Sequence, residues 1–348
     1  MIDPLLLIRP HLRNLVPYSS ARDEYSGREG IFLDANENSF GSVTGGPYNR
    51  YPDPYQRQVK ELLAGIKGMP ETRIFLGNGS DEIIDLVIRL FCRPGKDRVV
   101  ITPPTYGMYE VSARINEAGV IPVPLISGYQ LNIEAILDTR RSKPKILFLC
   151  TPNNPSGNSL NRASVLKLIR FFPGMILVDE AYSDFSGTGS YLPLLDKHRN
   201  LIIMQTFSKA WGMAGLRLGV AYAHESLVRF LNKIKPPYNI NQATQDLAVK
   251  ALKNIPKKES WVRKIIAERK WLEKNLNKLD IVEKVNPSET NFLLVKFRDS
   301  GKVFNYLQKK LIIVRDRSKV VQCDNSLRIT VGTKPENRAL LEALKNFR

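Results

Sequence analysis

The stretch LIIMQTFSKAWGMAGLRLG, residues 201–219, places a lysine shortly after an apolar run. The run from Leu201 to Met204 is short and apolar, which predicts a buried strand. Lys209 follows in the loop, next to the hydroxyl of Ser208 and ahead of small and apolar residues. A lysine in a partly desolvated site has a lowered pKa and becomes a nucleophilic amine, which forms a Schiff base with a carbonyl. The stretch therefore predicts a strand that carries a reactive amine into a crevice.

Four other stretches have the same form, a short apolar run that ends in a loop of small and polar residues. They are RIFLGNGSDE at 73–82, RVVITPPTYG at 98–107, KILFLCTPNNPSG at 145–157 and MILVDEAYSDF at 175–185. Amphipathic stretches with helical spacing lie between them, at 80–91, 108–119 and 160–172. Apolar runs that alternate with helices predict an α/β fold with a mostly parallel sheet covered by helices on both sides. Ligands bind outside the carboxyl ends of such strands, so we expect the five loops to converge on one crevice.

The pattern changes after the segment KPPYNINQ, residues 235–242. A long helical stretch at 261–279 is followed by the short apolar runs NFLLVKF, LIIVRD and SLRITVG, with helical stretches at 302–310 and 334–347. This order predicts a smaller α+β domain. We therefore expect a large ligand-binding domain over residues 31–236. Residues 237–348 are expected to form the smaller domain, and residues 1–30, too few to fold alone, to pack against it.

Composition argues against several classes of protein. The chain has 348 residues and no apolar run of the roughly 20 residues that span a bilayer. Its N-terminus has neither a basic leader nor a small-residue cleavage site, so we expect a cytoplasmic protein without a membrane partner. The three cysteines and three histidines are isolated in the sequence and predict neither disulfides nor a metal site. The net charge of +18 comes from lysines and arginines mixed with acids along the whole chain, which argues against a nucleic-acid partner.

Each polar loop contains one group that could bind a ligand and that could also have an ordinary structural role. Ser80 is a predicted helix N-cap, and the free N–H groups of that helix would favour an anion. Asp179 ends a strand, where a buried carboxylate requires a cation or several donors, although a loop carboxylate with local hydrogen bonds is equally consistent with the sequence. Asn154 lies between two prolines, in a stiff loop that fixes its amide or in a simple turn. Tyr106 could stack on an aromatic ligand or pack against the protein.

Together the loops hold an amine, a buried acid, a flat ring, hydroxyl groups and an anion site. Tyr182, Thr206 and Ser208 supply the hydroxyls, and Arg217 supplies a guanidinium suited to phosphate. These groups match the aldehyde, pyridine nitrogen, ring face, phenolate oxygen and phosphate of pyridoxal phosphate (PLP). A carboxylate paired with the ring nitrogen would keep that nitrogen protonated and the ring electron-withdrawing. We therefore predict PLP as the cofactor.

The motifs SDE, PTYGMY, TPNNPSG, VDEAY and TFSKAWGMAGLRLG resemble, in order and spacing, those of the fold-type I PLP-dependent aminotransferases. The closer resemblance is to the histidinol-phosphate branch of that family. It rests on NLVPYSSARDEY at 14–25, LDANENSFG at 33–41, NRYPDP at 49–54, IIVRDRSK at 312–319 and LRITVGT at 327–333. The resemblance covers nearly the whole chain. It implies a large domain with a mostly parallel seven-stranded sheet, covered by helices, and a smaller α+β domain.

The resemblance implies a role for each matching residue. Lys209, Asp179 and Tyr182 would be catalytic: Lys209 forms the Schiff base with the cofactor and moves the substrate proton, and Asp179 pairs with the pyridine nitrogen. The implied cofactor contacts are Asn154 and Tyr182 on the phenolate oxygen, Tyr106 on the ring face, and the backbone amides of Ser80 and Asp81 with Thr206, Ser208 and Arg217 on the phosphate. Tyr51 is expected to reach the cofactor phosphate of a neighbouring subunit, which implies a homodimer.

Substrate recognition is implied for Tyr18, Asn36, Arg315 and Arg328. Arg328 lies in an alternating apolar stretch, where its guanidinium requires an anion, either a substrate group or an inward-facing protein carboxylate. The implied reaction converts L-histidinol phosphate and 2-oxoglutarate to imidazole-acetol phosphate and L-glutamate, a step of histidine biosynthesis. An aromatic amino-acid aminotransferase and a phosphothreonine decarboxylase are open alternatives on the same scaffold. A PLP-sensing or nucleic-acid-binding regulator is the alternative from a different class.

Overall fold

The computed structural model describes residues 3–19 and 30–347. Parts of the predicted N-terminal segment, residues 1, 2 and 20–29, lie outside that description, as does residue 348. The second half of the motif at 14–25 is among them. No helix within the described ranges combines the length and the apolar character needed to cross a membrane.

Seven strands form a mostly parallel sheet at the centre of the fold. In chain order they are β1 Ile74–Asn78, β2 Arg98–Ile101, β3 Gly119–Pro122, β4 Ile146–Cys150, β5 Met175–Asp179, β6 Leu201–Thr206 and β7 Leu218–Ala223. Their order across the sheet is β1-β7-β6-β5-β4-β2-β3, and β7 runs antiparallel to both of its neighbours. All other neighbouring strands of this sheet are parallel, which confirms the predicted α/β fold.

The strands are buried on both faces because their apolar side chains alternate between two cores. In β5, Ile176 and Val178 belong to one cluster of buried side chains, whereas Met175 and Leu177 belong to a second cluster. All four side chains are fully buried. A sheet that is apolar on both faces requires helices on both sides, which the alternation of strands and helices supplies.

The described α-helices pack on this sheet and on a second, smaller one. They are α1 Pro10–Arg13, α2 Arg57–Lys67, α3 Ser80–Phe91, α4 Met108–Ile115, α5 Ile133–Asp138, α6 Arg162–Phe171, α7 Glu225–Ile234, α8 Gln242–Leu252, α9 Ile255–Leu276, α10 Ser300–Lys309 and α11 Lys334–Lys345. Single 3-10 turns lie at Pro4–Leu6, Glu71–Arg73, Ser127–Tyr129, Thr139–Ser142, Ser183–Phe185, Leu192–Asp196 and Ala214–Leu216. The helix expected at 80–91 therefore has the bounds of α3, and the helices expected at 108–119 and 160–172 are shorter than expected.

The smaller sheet is antiparallel. It comprises β8 Val282–Val285, β9 Phe292–Phe297, β10 Arg315–Asp316 and β11 Ser326–Thr330, in the order β10-β11-β9-β8. Helices α9, α10 and α11 pack on it through a core that includes Leu272, Leu307 and Leu340. The apolar run at 311–314 does not join the sheet. It leaves Leu311 and Ile313 largely exposed, and β10 begins only at Arg315.

Contacts of the N-terminal residues differ from the expectation that they pack against the smaller unit. Ile8 is buried in a cluster with side chains of α3 and α7 on the large sheet, and Arg9 N donates a hydrogen bond to Leu90 O (3.0 Å). Ala248 of α8, beyond the expected boundary at 236/237, also belongs to a core of the large sheet. The division into domains stays a prediction.

A glycine in β7 sets how closely the start of α3 approaches the sheet. A Cβ at Gly219 would lie 2.6 Å from Ser80 N and 2.7 Å from the carbonyl carbon of Gly79, and neither backbone atom can rotate away. We expect Gly219→Ala to lower the free energy of unfolding by about 1–3 kcal/mol, as overpacking does, in urea denaturation. Gly215→Ala is the matched control, because no atom of the described residues, apart from its chain neighbours, lies within 4 Å of its Cβ position. Equal effects of the two substitutions would contradict this packing.

Candidate active site

The polar loops that follow β1, β2, β4, β5 and β6 meet at one edge of the large sheet, as expected. Together with residues of the smaller sheet they line a cavity of about 220 Å³. Its lining comprises Ser80, Asp81, Tyr106, Cys150, Asn154, Asp179, Ala181, Tyr182, Thr206, Ser208, Lys209, Ala214, Arg217, Arg317 and Arg328. Most of the predicted site residues are therefore brought together, although their individual roles stay predictions.

Asp179 is the most deeply buried acid of this cavity and is 4% exposed, at the end of β5. Tyr109 Oη donates a hydrogen bond to Asp179 Oδ2 (2.6 Å), and Ala181 N donates to Asp179 Oδ1 (2.9 Å). Burial raises the pKa of Asp179 to about 6, although both donors and the charge of Lys209 act to lower it. The two donors fix both carboxylate oxygens, so Asp179 presents a stationary acceptor to a protonated ligand group.

Tyr109 is a site residue that sequence reasoning missed. It lies in the first turn of α4, is fully buried and stacks on Phe148, with ring centroids 4.8 Å apart. Burial and the negative charge of Asp179 raise the pKa of Tyr109, so the phenol stays a neutral donor. The one sequence feature that points to Tyr109 is its position on the helix that follows the Tyr106 loop, and this feature is weak. From the sequence alone, such an aromatic residue is indistinguishable from a core residue.

Lys209 lies half-buried in the loop after β6. Burial lowers the pKa of Lys209, the positive charge of Arg328 lowers it further, and the negative charge of Asp179 opposes both. Its Nζ lies 5.6 Å from the ring centroid of Tyr182, a phenol whose pKa is raised by burial. The amine singled out in the sequence is thus desolvated and lies beside the expected phenol and acid.

A guanidinium, that of Arg217, lies at the corner where α3 begins. Gly79 is the N-cap, with φ +79°, and Ser80 is the first helical residue, so the expectation that Ser80 is the N-cap is wrong. The backbone of Gly79, with φ +79° and ψ 166°, is a conformation that favours glycine, and its Cβ position lies 2.6 Å from Nη2 of Arg217. The guanidinium therefore lies over the helix N-terminus, whose free N–H groups favour an anion. Thr206 and Ser208 line the same cavity, and Ser208 N donates to Thr206 Oγ1 (3.1 Å).

Two further predicted residues are tied to this corner through their side chains. Tyr106 Oη donates to Asp81 Oδ1 (2.9 Å), and Arg217 Nη2 lies 3.2 Å from Asp81 Oδ2. Burial and the charge of Asp81 raise the pKa of Tyr106, which keeps its hydroxyl protonated as the donor. The Asp81 carboxylate therefore positions both the ring of Tyr106 and the guanidinium of Arg217 at the cavity wall.

The smaller sheet supplies arginines to the cavity. Arg328 Nη1 donates to Asn154 Oδ1 (2.6 Å), and its guanidinium carbon lies 5.3 Å from the ring centroid of Phe292. Arg328 forms no ion pair with any described residue, so the alternative of an inward salt bridge is not observed there. Burial lowers the pKa of Arg328. Arg317, which sequence reasoning missed, lines the cavity beside it.

Four predicted residues do not line this cavity. Asn36 and Tyr51 line a separate pocket, in which the Tyr51 ring stacks on Tyr238 with centroids 4.5 Å apart. Tyr18 is 75% exposed. Arg315 is exposed as well, although it pairs directly with Arg328 in the register of β10 and β11. The contacts predicted for these residues with substrate or with a partner's cofactor stay predictions.

The burial of Asp179 predicts a pH-dependent loss of stability in the cofactor-free protein. The pKa of Asp179 is about 6 in the folded chain against an ordinary value of 3.8, so the folded chain holds an extra proton between these values. Stability therefore falls as the pH rises from about 4 to about 6, by up to about 3 kcal/mol. Asp179→Asn removes the charge and keeps the shape. We expect this variant to be more stable than the parent at pH 7 in urea denaturation.

The difference should shrink as the pH falls towards 4, where the parent carboxyl is protonated in both states. Glu342→Gln is the control, because it removes a carboxylate that is exposed on α11. Its stability should follow that of the parent at both pH values. An Asp179→Asn variant less stable than the parent at pH 7 would contradict this cost of burying the charge.

Comparison with known proteins identifies aminotransferases as the relatives of this chain. The model of the family described as aminotransferase class I and II matches residues 29–344. A curated relative from Cytophaga hutchinsonii, named histidinol-phosphate aminotransferase, is 51% identical over 341 residues, which cover 98% of each chain. A relative of the same name from Parabacteroides distasonis is 50% identical over 342 residues, again 98% of each chain.

The fold agrees with that of solved structures. The crystal structure of histidinol-phosphate aminotransferase from Sinorhizobium meliloti in complex with pyridoxal-5'-phosphate is similar with a TM-score of 0.81, at 21% identity and over 97% of each chain. This likeness confirms the expected fold-type I architecture. Because the family model covers most of the sequence and the relatives are about half identical, the chain belongs to the class I and II aminotransferases, a family of enzymes.

Proposed function

We propose that the protein is a PLP-dependent histidinol-phosphate aminotransferase of histidine biosynthesis. It would convert L-histidinol phosphate and 2-oxoglutarate to imidazole-acetol phosphate and L-glutamate. The observation that carries the proposal is one cavity with the amine of Lys209, the buried carboxylate of Asp179 and the guanidinium of Arg328. The name of the relatives at 51% and 50% identity supports the choice of substrate. The cytoplasmic location stays a prediction.

The residues of the cavity fit PLP. Lys209 offers an amine of lowered pKa to the aldehyde, and Asp179 offers a fixed carboxylate to the protonated ring nitrogen. Arg217, over the N-terminus of α3, offers a site for the phosphate. The other proposed contacts are Asn154 and Tyr182 with the phenolate oxygen, Tyr106 with the ring face, and Ser80, Asp81, Thr206 and Ser208 with the phosphate.

The chemistry of the transfer divides between the cofactor and Lys209. PLP supplies, when bound, an aldehyde that takes up an amine and a ring that withdraws electrons from the substrate Cα. Lys209 would anchor the cofactor through Nζ and, once the incoming amine displaces it, take the proton from the substrate Cα as a general base. The lowered pKa of Lys209 increases the uncharged fraction that can act as a base at neutral pH. Asp179 would hold the proton on the ring nitrogen, because its two donors fix both of its oxygens.

Arginines of the smaller sheet would bind the anionic end of each substrate. Histidinol phosphate carries a phosphate where an amino acid carries its α-carboxylate. The guanidinium of Arg328 has an amide oxygen as partner and no described carboxylate, so it can take either anion. Arg315 lies across the ladder from it and would join it around the phosphate. Tyr18 and Asn36 are proposed as further contacts that reach the substrate from outside the cavity.

We further propose a homodimer in which Tyr51 reaches the cofactor phosphate of the partner. Tyr51 lies outside the Lys209 cavity of its own chain. The segment around it exposes several large apolar side chains: Ile31, Leu33, Phe40, Val43 and Tyr48. Contiguous exposed apolar side chains are typical of a surface that contacts another protein. A second copy of the chain would cover this segment and complete the site.

Lys209→Ala tests the mechanism. Because both the anchor and the general base are lost, we expect kcat for amino transfer from histidinol phosphate to 2-oxoglutarate to fall by about 10⁴-fold or more. The measurement is steady-state production of glutamate. Lys167→Ala, which removes an exposed lysine of α6, should keep the parent rate. A Lys209→Ala enzyme with a rate near that of the parent would show that the mechanism is wrong.

Three amines separate the proposed substrate from the alternatives. The parent enzyme is assayed with histidinol phosphate, phenylalanine and phosphothreonine, and both glutamate and CO2 are measured. Histidinol phosphate should give glutamate at the highest kcat/KM, and phosphothreonine should release no CO2. Higher kcat/KM with phenylalanine would assign an aromatic amino-acid aminotransferase. Release of CO2 from phosphothreonine would assign a decarboxylase, which a phosphate-binding arginine site also suits.

The proposed dimer predicts that two inactive variants complement each other. Tyr51→Ala and Lys209→Ala chains should each have low activity alone. A mixed dimer contains one intact site, because the Lys209→Ala chain supplies Tyr51 to the Lys209 of its partner. Random pairing of equal amounts should restore roughly one site in four. Activity that does not rise after the two chains are denatured together and refolded, or co-expressed, would contradict a shared site.

A further inference from the structure

A third arginine lines the Lys209 cavity, and none of the roles proposed above uses it. Arg317 follows β10, and its backbone N–H donates to Ser326 O (3.0 Å), which extends the β10–β11 ladder. Arg315 is paired with Arg328 in that ladder. Because side chains alternate along a strand, Arg315, Arg317 and Arg328 project from the same face. Leu327, which precedes Arg328 in β11, lies on the other face and is buried in the core of the smaller unit.

The guanidinium of Arg317 lacks a partner among the residues described. Its Nε is buried without a hydrogen-bond partner, and its side chain makes no ion pair within residues 3–19 and 30–347. Burial lowers the pKa of Arg317, and the charges of Arg328 and Arg315 lower it further. The buried Nε without a partner carries a desolvation cost, which an anion bound to this half-buried guanidinium would offset. No described residue supplies the partner that a salt bridge or hydrogen-bond network around Arg317 would use.

The described carboxylates near Arg317 are engaged elsewhere. Of the two that line the same cavity, Asp81 pairs with Arg217, and Asp179 accepts hydrogen bonds from Tyr109 and Ala181. Asp316 projects from the opposite face of β10, and its Oδ1 accepts a hydrogen bond from Ser318 N (2.8 Å). Arg317 also lines an adjoining pocket of about 280 Å³, in which Glu110 is the one acid among the described lining residues. Glu110 is paired with Arg114 (2.6 Å). None of the three guanidinium groups on this face therefore forms an ion pair with a described carboxylate, and two of them, Arg317 and Arg328, line the Lys209 cavity.

We propose that Arg317 is a specificity-determining residue, which binds the phosphate group of the amine substrate together with Arg315 and Arg328. A phosphate monoester carries about two negative charges and three strong acceptor oxygens, whereas a carboxylate carries one charge and two oxygens. A third guanidinium therefore favours the phosphorylated amine over glutamate at the same place. The cofactor phosphate has its own guanidinium, Arg217, at the start of α3. This inference rests on the proposed function.

Arg317→Gln tests the inference in the holoenzyme. With histidinol phosphate, KM should rise by about 10- to 100-fold, the loss expected for one charge-assisted contact, while kcat changes little. The half-reaction with glutamate should be affected much less. Binding of inorganic phosphate to the holoenzyme, measured by calorimetry, should weaken in parallel and is independent of turnover. Lys319→Gln is the matched control, since it removes the same charge from an exposed side chain outside both pockets.

Arg317→Lys serves as the second variant, because it keeps the charge and loses the planar fork. It should lie between the parent and Arg317→Gln in its KM for histidinol phosphate, and it decides the question if Arg317→Gln does not fold. The inference would be overturned if Arg317→Gln weakened the use of histidinol phosphate and of glutamate by the same factor. It would also be overturned if Arg317→Gln and Lys319→Gln had the same KM for histidinol phosphate. Either result would leave the proposed function intact. A parent enzyme that takes no amino group from histidinol phosphate would overturn the proposed function, and the inference with it.

Discussion

The parallel pairing of β5 with β4 on one side and β6 on the other is the constraint on which the site depends. It sets Asp179 beside Cys150 and beside Met204, so that β4 and β5 end at the same level and β6 continues for two more residues, to Thr206. The loops that leave these ends carry Asn154, Tyr182 and Lys209 into one cavity. Both faces of these strands pack in close-packed cores, so a shift of one residue would place every side chain in a space shaped for another and is disfavoured. The register of apolar strands therefore fixes the positions of the reactive groups.

Burial then tunes the groups that the strands position. The same loss of water raises the pKa of Asp179 to about 6 and lowers the pKa of Lys209. The second shift suits the general base proposed for Lys209, whereas the first is the cost of burying a carboxylate that is to pair with the ring nitrogen. The folded chain alone gives Asp179 two hydrogen-bond donors, Tyr109 and Ala181, but no directly bonded cation among the described residues. A protonated ring nitrogen would supply that cation. Without the cofactor, the folded protein is therefore expected to be less stable than its Asp179→Asn variant. Binding of the cofactor would offset this cost.

Most of the architecture could be predicted because it depends on local patterns. Helix α3 has the expected bounds, since Gly79 breaks the chain before it and apolar residues recur at helical spacing within it. Tyr109 and Arg317 could not be assigned, because the first acts through a contact with a residue 70 positions away and the second through the β10–β11 ladder. The apolar run at 311–314 is not a strand despite its composition. Similarly, no local pattern states which unit Ile8 packs against, and its burial on the large sheet is a tertiary contact.

The absorbance of the bound cofactor tests the central claim most directly. Purified holoenzyme is recorded before and after addition of L-histidinol phosphate alone, and again after addition of 2-oxoglutarate. The account predicts that the yellow absorbance disappears as the amino group passes to the enzyme and returns with 2-oxoglutarate as glutamate is released. An absorbance that does not change with histidinol phosphate but changes with phenylalanine would contradict the assignment of histidinol phosphate as the substrate. A protein that stays colourless after incubation with PLP would contradict the role assigned to Lys209.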